Sequence, residues 1–395
     1  MSLGRNSATP VVMETADQQF SVLRVGTYPT EEHNGVGLPG YMLSADQRYA
    51  TVYRTPLPGG NEVPLEPPGD RVDLRFFPFA DRAMPENRRL SPRTVVATLR
   101  RMVVVSWLNA RVLLDRAARR VNLVHIHSPM WAPVAAYAKL SGRPAVITVH
   151  GTDFIRLRKS GLLRILLTPI DRILCVSDVF AQELAVLFPN KSVETVYNGV
   201  DTVLFSPSAT PAGGRRKQIV AVGSLRWHKD HATLIQAFSQ LAAANPEWSL
   251  AIVGVGELRS ELEQRVAELG LQKRVRFLGA LSHQALAKEL AASEIFALSS
   301  VTEGLPKVLL EAMASGCACI ATDVGECRAV LSDAGLILPA REASLFANAL
   351  ATLISSADLR KAYGARGESR AHQFTWDAYR DRHYKIYRGL LENDG

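Results

Sequence analysis

Glu303-Gly-Leu-Pro-Lys-Val-Leu-Leu-Glu311-Ala-Met-Ala-Ser-Gly316 is the run of this chain whose reading decides the fold. It sets one carboxylate in a Gly-Pro loop and a second on an amphipathic helix. Pro306 suits the first helical position, because its φ is already fixed near the helical value and its missing N–H would have had no partner there. Leu305 before it carries no side-chain oxygen to cap the free amides of the first turn. An uncapped helix start, with its positive dipole end, is a site for an anion, and phosphate is the usual occupant. Glu311 falls about one and a half turns further on and is expected to face the same cleft. The two glutamates therefore read as a clamp for a nucleotide diphosphate-sugar.

Outward from this stretch, short β-rich runs alternate with helical patterns, which argues for parallel sheets joined by crossover helices. The first half offers strands at Val22–Gly26, Ala50–Arg54, Val72–Phe76, Leu123–His127, Ala145–Val149, Arg172–Val176 and Val193–Tyr197. A linker composition follows at Ser206–Lys217, rich in Ser, Pro and Gly. Strands restart at Ile219–Gly223, Ser249–Gly254, Val275–Leu278, Glu294–Leu298, Ala318–Ala321 and Gly335–Leu338, with helices such as Thr233–Ala244 and Glu257–Leu269 between them. Two doubly wound sheets in sequence would hold ligand at strand C-termini, in the crevice between domains. Beyond Thr375, a candidate N-cap, the spacing of Trp376, Tyr379, Ile386, Tyr387 and Leu390 predicts a last amphipathic helix.

Length and composition agree with this picture. A chain of 395 residues exceeds one ordinary core and suggests two domains. No stretch approaches the eighteen or so apolar residues of a membrane span. Arg5 is followed by no apolar core, so no secretory signal is read, and residues 1 to about 19 resemble a loose tail. Cys175, Cys317, Cys319 and Cys327 have no histidine at ligand spacing and read as small buried residues of a cytoplasmic protein.

The net charge of +8 is concentrated between Arg88 and Arg120, where nine arginines face a single acid, Asp115. Apolar residues from Val95 to Leu114 interleave there at near-helical spacing, and a second mixed run follows at Ile155–Arg164. These are either solvated helix faces packed on a sheet or an amphipathic surface for anionic lipid on the inner face of the cytoplasmic membrane. Nucleic acid is not expected, since interleaved aromatics are missing. Gly35-Val-Gly37-Leu-Pro-Gly40 fits a dinucleotide glycine pattern, but it stands well past the first strand. The second strand, moreover, ends in Tyr53-Arg-Thr-Pro56 with no acid. In the reading implied by the resemblance given below, the same loop, through Gly35 and Gly37, would instead bring backbone close to donor phosphate and acceptor.

The ordered set Val222-Gly-Ser-Leu-Arg-Trp-His-Lys229, Phe277-Leu-Gly279, Glu303-Gly-Leu-Pro with Glu311-Ala-Met-Ala-Ser-Gly316, and Thr322-Asp-Val-Gly325 resembles the retaining glycosyltransferases of family 4. His150-Gly-Thr-Asp153, Tyr197-Asn-Gly-Val-Asp201 and Phe374-Thr-Trp376 extend the resemblance over about residues 20–392. It implies the α/β GT-B fold: two Rossmann-like doubly wound domains facing a cleft. They would be an acceptor-binding domain over 20–205, a nucleotide-sugar-binding domain over 206–374, and a helix over 375–395 crossing back to the first. It implies that Glu311 binds the donor ribose and that Glu303 meets the sugar and stabilises an oxocarbenium-like transition state. The loop from Gly304 through Leu305 and Pro306 to Lys307 would receive the phosphate oxygens on its amides, Pro306 alone having no N–H to give. Lys229 would neutralise the leaving diphosphate, and His150 would contact the donor sugar, or else pack as a strand-end residue. Gly223 stands where the family's phosphate-contacting glycine does. The family's arginine after it is replaced by Ser224, leaving Arg226 as the candidate second cation. Backbone around Arg276 and Leu278 would set base preference, together with Val324-Gly-Glu-Cys327, where the usual Gly-Gly-x-Pro-Glu is altered.

No Asp-x-Asp pair occurs anywhere, so the leaving charge is assigned to cations and a helix N-terminus rather than to a metal. The expectation is metal-independent, retaining transfer of a hexose-type sugar from a UDP- or GDP-sugar to a glycan or lipid-linked acceptor in envelope or exopolysaccharide assembly, with no cofactor. Two alternatives share the sequence features: a nucleotide-sugar epimerase or hydrolase on the same fold, and a non-catalytic membrane-associated assembly protein.

Overall fold

The computed structural model describes residues 20–26, 38–56, 64–77, 103, 105–209 and 211–392. The N-terminal tail, Gly35 and Gly37, and most of the Arg88–Val104 stretch lie outside the described residues.

Seven strands build a first sheet: β1 (Ser21–Val25), β2 (Ala50–Pro56), β3 (Val72–Phe77), β4 (Leu123–Ile126), β5 (Ala145–Val149), β6 (Arg172–Cys175) and β7 (Ser192–Thr195). Six build a second: β8 (Arg216–Val222), β9 (Ser249–Val253), β10 (Val275–Gly279), β11 (Ser293–Leu298), β12 (Ala318–Thr322) and β13 (Gly335–Leu338). Their orders are 3-2-1-4-5-6-7 and 10-9-8-11-12-13, with parallel pairing throughout. Each order reverses beside its first strand, between β1 and β4 and between β8 and β11, and those switch points open crevices at the strand C-termini. Both faces of each sheet are covered, so β5 and β12 are buried along their whole length.

Every strand expected from the sequence exists. The largest boundary difference is at β8, which begins at Arg216 inside the segment read as linker. Arg216 pairs with Ser293 of β11 and its amide bonds the Ala292 carbonyl at 2.7 Å, so partner backbone extends a strand whose polar start reads as loop. The helix expected from Thr233 starts earlier, at His231, because Asp230 accepts from Thr233 N and Oγ1 at 3.4 and 2.7 Å. Asp153, the end of the His150-Gly-Thr-Asp153 motif, sits inside the first turn of Gly151–Lys159, whose N-cap is His150.

The last helix, Trp376–Glu392, does cross to the first sheet. Trp376, Tyr379, Ile386 and Tyr387 share a core with Phe20, Val22, Leu43, Tyr49, Leu123, Val146 and Leu174. Thr375 Oγ1 accepts from Ala378 N at 3.2 Å, as its cap role requires. The helix is also tied by polar contacts. Buried Arg24 donates to Tyr387 Oη at 3.0 Å and to Tyr49 Oη at 2.5 Å, and Arg48 meets Asp381 at 2.7 Å. The crossing is tightest at Gly199, where a Cβ would stand 2.5 Å from Trp376 N; next to it Val200 N bonds the Phe374 carbonyl at 2.7 Å. The four cysteines are free and buried, in line with the packing role read for them.

Candidate active site

The site grows from the C-terminal pole of the second sheet. After β8 the chain turns through Gly223 and Ser224 into a short 3-10 turn, Trp227–Lys229. Val301 N bonds the His228 carbonyl at 2.9 Å and Ser299 Oγ bonds the Lys229 carbonyl at 3.1 Å. The turn is thereby pinned to the segment leaving β11, on the other side of the switch point. That pinning brings together two residues distant in sequence: Lys229 Nζ lies 2.6 Å from Glu303 Oε1, with both side chains mostly buried. Ser300 Oγ donates to the same oxygen at 2.6 Å. Gly223 leaves room for this lysine, since a Cβ there would stand 3.2 Å from Lys229 Cδ.

Beyond Glu303 the loop enters the helix Lys307–Ala314. Pro306 is the N-cap residue rather than the first helical one expected, with ψ of 84° and its carbonyl accepting from Leu309 N at 3.0 Å. Chain connectivity explains the one-residue difference, because the helix cannot begin until the loop has cleared Gly325. A Cβ on that glycine (φ 53°) would collide with the Glu303 carbonyl. The consequence read from the sequence is unchanged: no side chain caps this helix start. Glu311 lies one turn in. Desolvation pushes its carboxyl up to about 7, with the Lys307 ammonium pulling the other way. Burial likewise lowers Lys307 below the usual lysine range, opposed by Glu311.

Across the cleft, His150 ends β5 as the N-cap of Gly151–Lys159. Burial and then the charge of Lys307 depress it to about 4, so the imidazole is neutral near pH 7, and its Nε2 is buried without a hydrogen-bond partner. Asp153 is raised to about 6, chiefly by burial, and accepts from Ser128 Oγ at 3.2 Å. The two sheets thus bring Lys229, Glu303, Lys307, Glu311 and His150 to one cleft.

Not every expected residue joins them. The Arg276 side chain bonds Gln218 Oε1 at 2.7 Å and approaches Glu289, so it is engaged along the sheet rather than with Lys229 and Glu303. Leu278 packs partly against the core, and Gly279 after it accepts from Gly254 N at 2.8 Å. Arg226 precedes the 3-10 turn as its N-cap, and its carbonyl accepts from Lys229 N at 3.0 Å. Gly35 and Gly37 fall outside the described residues.

Some neighbours escaped the sequence reading. His125 and His127 alternate along β4 and its end, and their rings stack at 4.2 Å beneath the cleft. Period-two spacing of identical side chains was the available signal. Glu326 was seen only as an altered motif position, yet it is 2% exposed and bonded across the seam between the two sheets. Ser300 carried no signal at all.

The chain matches the family described as Glycosyl transferases group 1 over residues 205–370 and Glycosyltransferase Family 4 over residues 65–204. Phosphatidyl-myo-inositol mannosyltransferase of Mycolicibacterium smegmatis is 27% identical over 386 residues, 95% of this chain and 86% of the relative. N-acetyl-alpha-D-glucosaminyl L-malate synthase of Bacillus anthracis is 30% identical over 298 residues, 70% of this chain and 77% of the relative. HepE of Anabaena, solved in complex with UDP-glucose, superposes with a TM-score of 0.69 at 18% identity over 94% of this chain and 100% of that one. Both halves of the sequence match, a relative is aligned over most of its length, and the two parallel sheets superpose on a GT-B structure: the chain belongs to the family 4 glycosyltransferases and is a glycosyltransferase of GT-B fold.

Proposed function

We propose that this enzyme transfers a hexose-type sugar, with retention and without a metal, from a UDP- or GDP-sugar to a hydroxyl of a glycan or lipid-linked acceptor. The observation that carries the reading is the Lys229–Glu303 pair standing beside an uncapped helix start, with Glu311 one turn behind it. In this reading the ribose hydroxyls donate to Glu311, and the diphosphate lies against the start of Lys307–Ala314, which no side chain caps. Lys229 leaves Glu303 for the phosphate oxygens as their charge grows, which places the cation where the transition state needs it. Glu303, released, faces the sugar and stabilises its oxocarbenium character. The acceptor oxygen bonds to the anomeric carbon on the face from which the diphosphate departs, and the acceptor proton passes to the departing oxygen. Neutral His150 serves as a hydrogen-bonding group to the sugar, since a group with pKa about 4 carries no charge to neutralise near pH 7.

The acceptor class rests on two supports. One named relative is by its name a mannosyltransferase of phosphatidyl-myo-inositol. The first sheet also carries an outward apolar and basic surface. Helical residues 105–114 bury Leu108 and Val112 but expose Trp107 and Leu114, with Arg111 over the Trp107 ring at 5.6 Å. Asp115, the one acid of that segment, is turned inward onto Arg54 at 3.1 Å, and among the described residues no ion pair is recorded for Arg111, Arg116, Arg119 or Arg120. Ile155, Leu162 and Ile165 are more than half exposed beside Arg156, Lys159 and Arg164. We assign this face to anionic lipid at the inner surface of the cytoplasmic membrane. Among the described residues no helix is long and apolar enough to cross a membrane.

A thermal-shift screen of nucleotide sugars identifies the donor, since a ligand at about a hundredfold excess over its Kd adds roughly 2.7 kcal/mol of stability. NMR of the product from an α-linked donor then reads the anomer. An α-product with full activity in EDTA is expected. An inverted product, or turnover of donor without any acceptor, overturns the reading in favour of another reaction on this fold.

A further inference from the structure

Among the described residues, the Glu326 carboxylate is a buried group that the transfer chemistry does not use. It follows the motif glycine Gly325, at the position where the usual pattern has a second glycine and therefore no side chain. Here the side chain reaches out of the second sheet's unit and into the first. Oε1 accepts from Ser177 Oγ at 2.6 Å and from Val179 N at 3.1 Å, and Oε2 lies 3.1 Å from Tyr197 Oη, whose one proton is shared with Asp178 Oδ2 at 2.5 Å. Ser177 is the N-cap of the helix Asp178–Leu187, so the carboxylate sits against the positive end of an element belonging to the first sheet. Glu326 is 2% exposed, and among the described residues no ion pair with a cation is recorded for it. Its charge is held by neutral donors that all lie on the far side of the seam.

The backbone of the same residue faces the opposite way. Glu326 N donates to the Gly304 carbonyl at 3.0 Å, which fixes the loop between Glu303 and Lys307. Gly304 itself lies against Phe180, where a Cβ would stand 3.3 Å from the ring, and Phe180 stacks on Phe154 at 4.1 Å. Phe154 belongs to the helix that His150 caps. One residue therefore links the loop carrying Glu303 to the element carrying His150.

We propose that Glu326 is a positioning residue, a latch that holds the two sheets closed and sets the Glu303 loop against the His150 side of the cleft. Opening the cleft withdraws Ser177, Val179 and Tyr197 from the carboxylate, which must then be hydrated by water, while the end of Asp178–Leu187 loses a counter-charge. Closing reverses both. The consequence for catalysis rests on the function proposed above, whereas the latch itself is a property of the ligand-free protein and is tested without a ligand.

Nitroxide labels at Arg120→Cys and Lys273→Cys, exposed loop positions that precede β4 of the first sheet and β10 of the second, report the distance between them by electron spin resonance, and the native cysteines are buried from the reagent. A single, narrow distance distribution is expected in the parent protein. Glu326→Gly should raise the open-to-closed ratio about tenfold, the scale of losing hydrogen bonds to a buried charge. Glu326→Asp, one methylene shorter, should fall between. Tyr197→Phe removes one donor from the opposite side and should shift the ratio in the same direction by a smaller factor, and it keeps the test decisive should Glu326→Gly not fold. Distance distributions identical to the parent's in Glu326→Gly, or in Tyr197→Phe where the glycine variant does not fold, overturn the latch. In the same samples, titration with UDP and GDP separates the two claims. Failure of the parent to bind either nucleotide sinks the transferase reading and leaves the spin-label result to decide the latch alone. If transfer is active, kcat in Glu326→Gly should fall about tenfold while isolated UDP or GDP affinity changes less than twofold. An equal loss in both would mark a merely structural residue and contradict the coupling.

Discussion

At the scale of single residues, Glu303 and Lys229 are each other's partner before any ligand arrives, and that mutual pairing shapes what substitutions do. Glu303→Ala should abolish transfer, measured as product formed per enzyme. Lys229→Ala should lower kcat by about 10²–10³-fold, the usual loss when one preorganised charge-stabilising donor is removed. A Lys229→Ala enzyme with near-parental kcat would contradict the assignment of the leaving charge. Glu311 makes a pH prediction whose sign can be worked out. Its carboxyl is raised to about 7 in the fold from an ordinary value near 4.5, so the folded state holds a proton that the unfolded chain has lost between those values. Stability of the ligand-free enzyme should therefore fall as pH rises from about 4.5 to 7, by an amount on the order of 1–3 kcal/mol. Glu311→Gln should flatten that slope in thermal denaturation across the same range. Nucleotide binding should move oppositely, strengthening as pH rises through 7, because ribose hydroxyls donate best to the ionised carboxylate. A parental pH slope retained in Glu311→Gln would contradict the desolvation of this group.

At the scale of elements, what the sequence made legible follows from where the information resides. Parallel strands buried on both faces read as unbroken apolar runs, and Ala145–Val149 agrees with the structure to the residue, as does the half-buried edge strand Gly335–Leu338. β8 did not, because its first residues, Arg216 and Lys217, are exposed and polar and owe their conformation to a neighbour's backbone. The helix start at Lys307 was displaced by one residue for a comparable reason, since the carbonyl of a loop residue and Gly325 decide it from outside the helix. Pairings across the cleft were the least legible. Lys229 and Glu303 were named separately from motif positions, but nothing local announces that a 3-10 turn pinned to the β11 exit would join them at 2.6 Å. Glu326 was noticed only as a departure from a pattern, and its partners Ser177 and Tyr197 lie well over a hundred residues away in sequence. Gly199 is the element-scale position most open to test. Its Cβ would strike the Trp376 backbone, so Gly199→Ala should destabilise by about 1–3 kcal/mol through overpacking, seen as a lowered denaturation midpoint. An unchanged midpoint would mean that the crossing at Phe374–Trp376 is looser than described.

At the scale of the whole molecule, the last helix binds the first sheet through a shared apolar core and through Arg24, a buried guanidinium served by Tyr387, Tyr49 and His125. Tyr387→Phe should cost about 1–3 kcal/mol in chemical denaturation, because it leaves a buried cation short of an acceptor. The outward basic face makes a separate claim. Binding to vesicles containing anionic lipid should exceed binding to neutral vesicles, weaken with salt, and drop when Arg111 and Trp107 are replaced together by Glu and Ala. Equal binding to both kinds of vesicle would remove the lipid assignment without touching the chemistry of the cleft. That chemistry is tested most directly by a crystal structure of the enzyme with its nucleotide-sugar donor. The account predicts ribose hydroxyls on Glu311, diphosphate oxygens on Lys229 and at the start of Lys307–Ala314, and the sugar between Glu303 and His150. A donor bound elsewhere, with the Lys229–Glu303 pair intact, would contradict it.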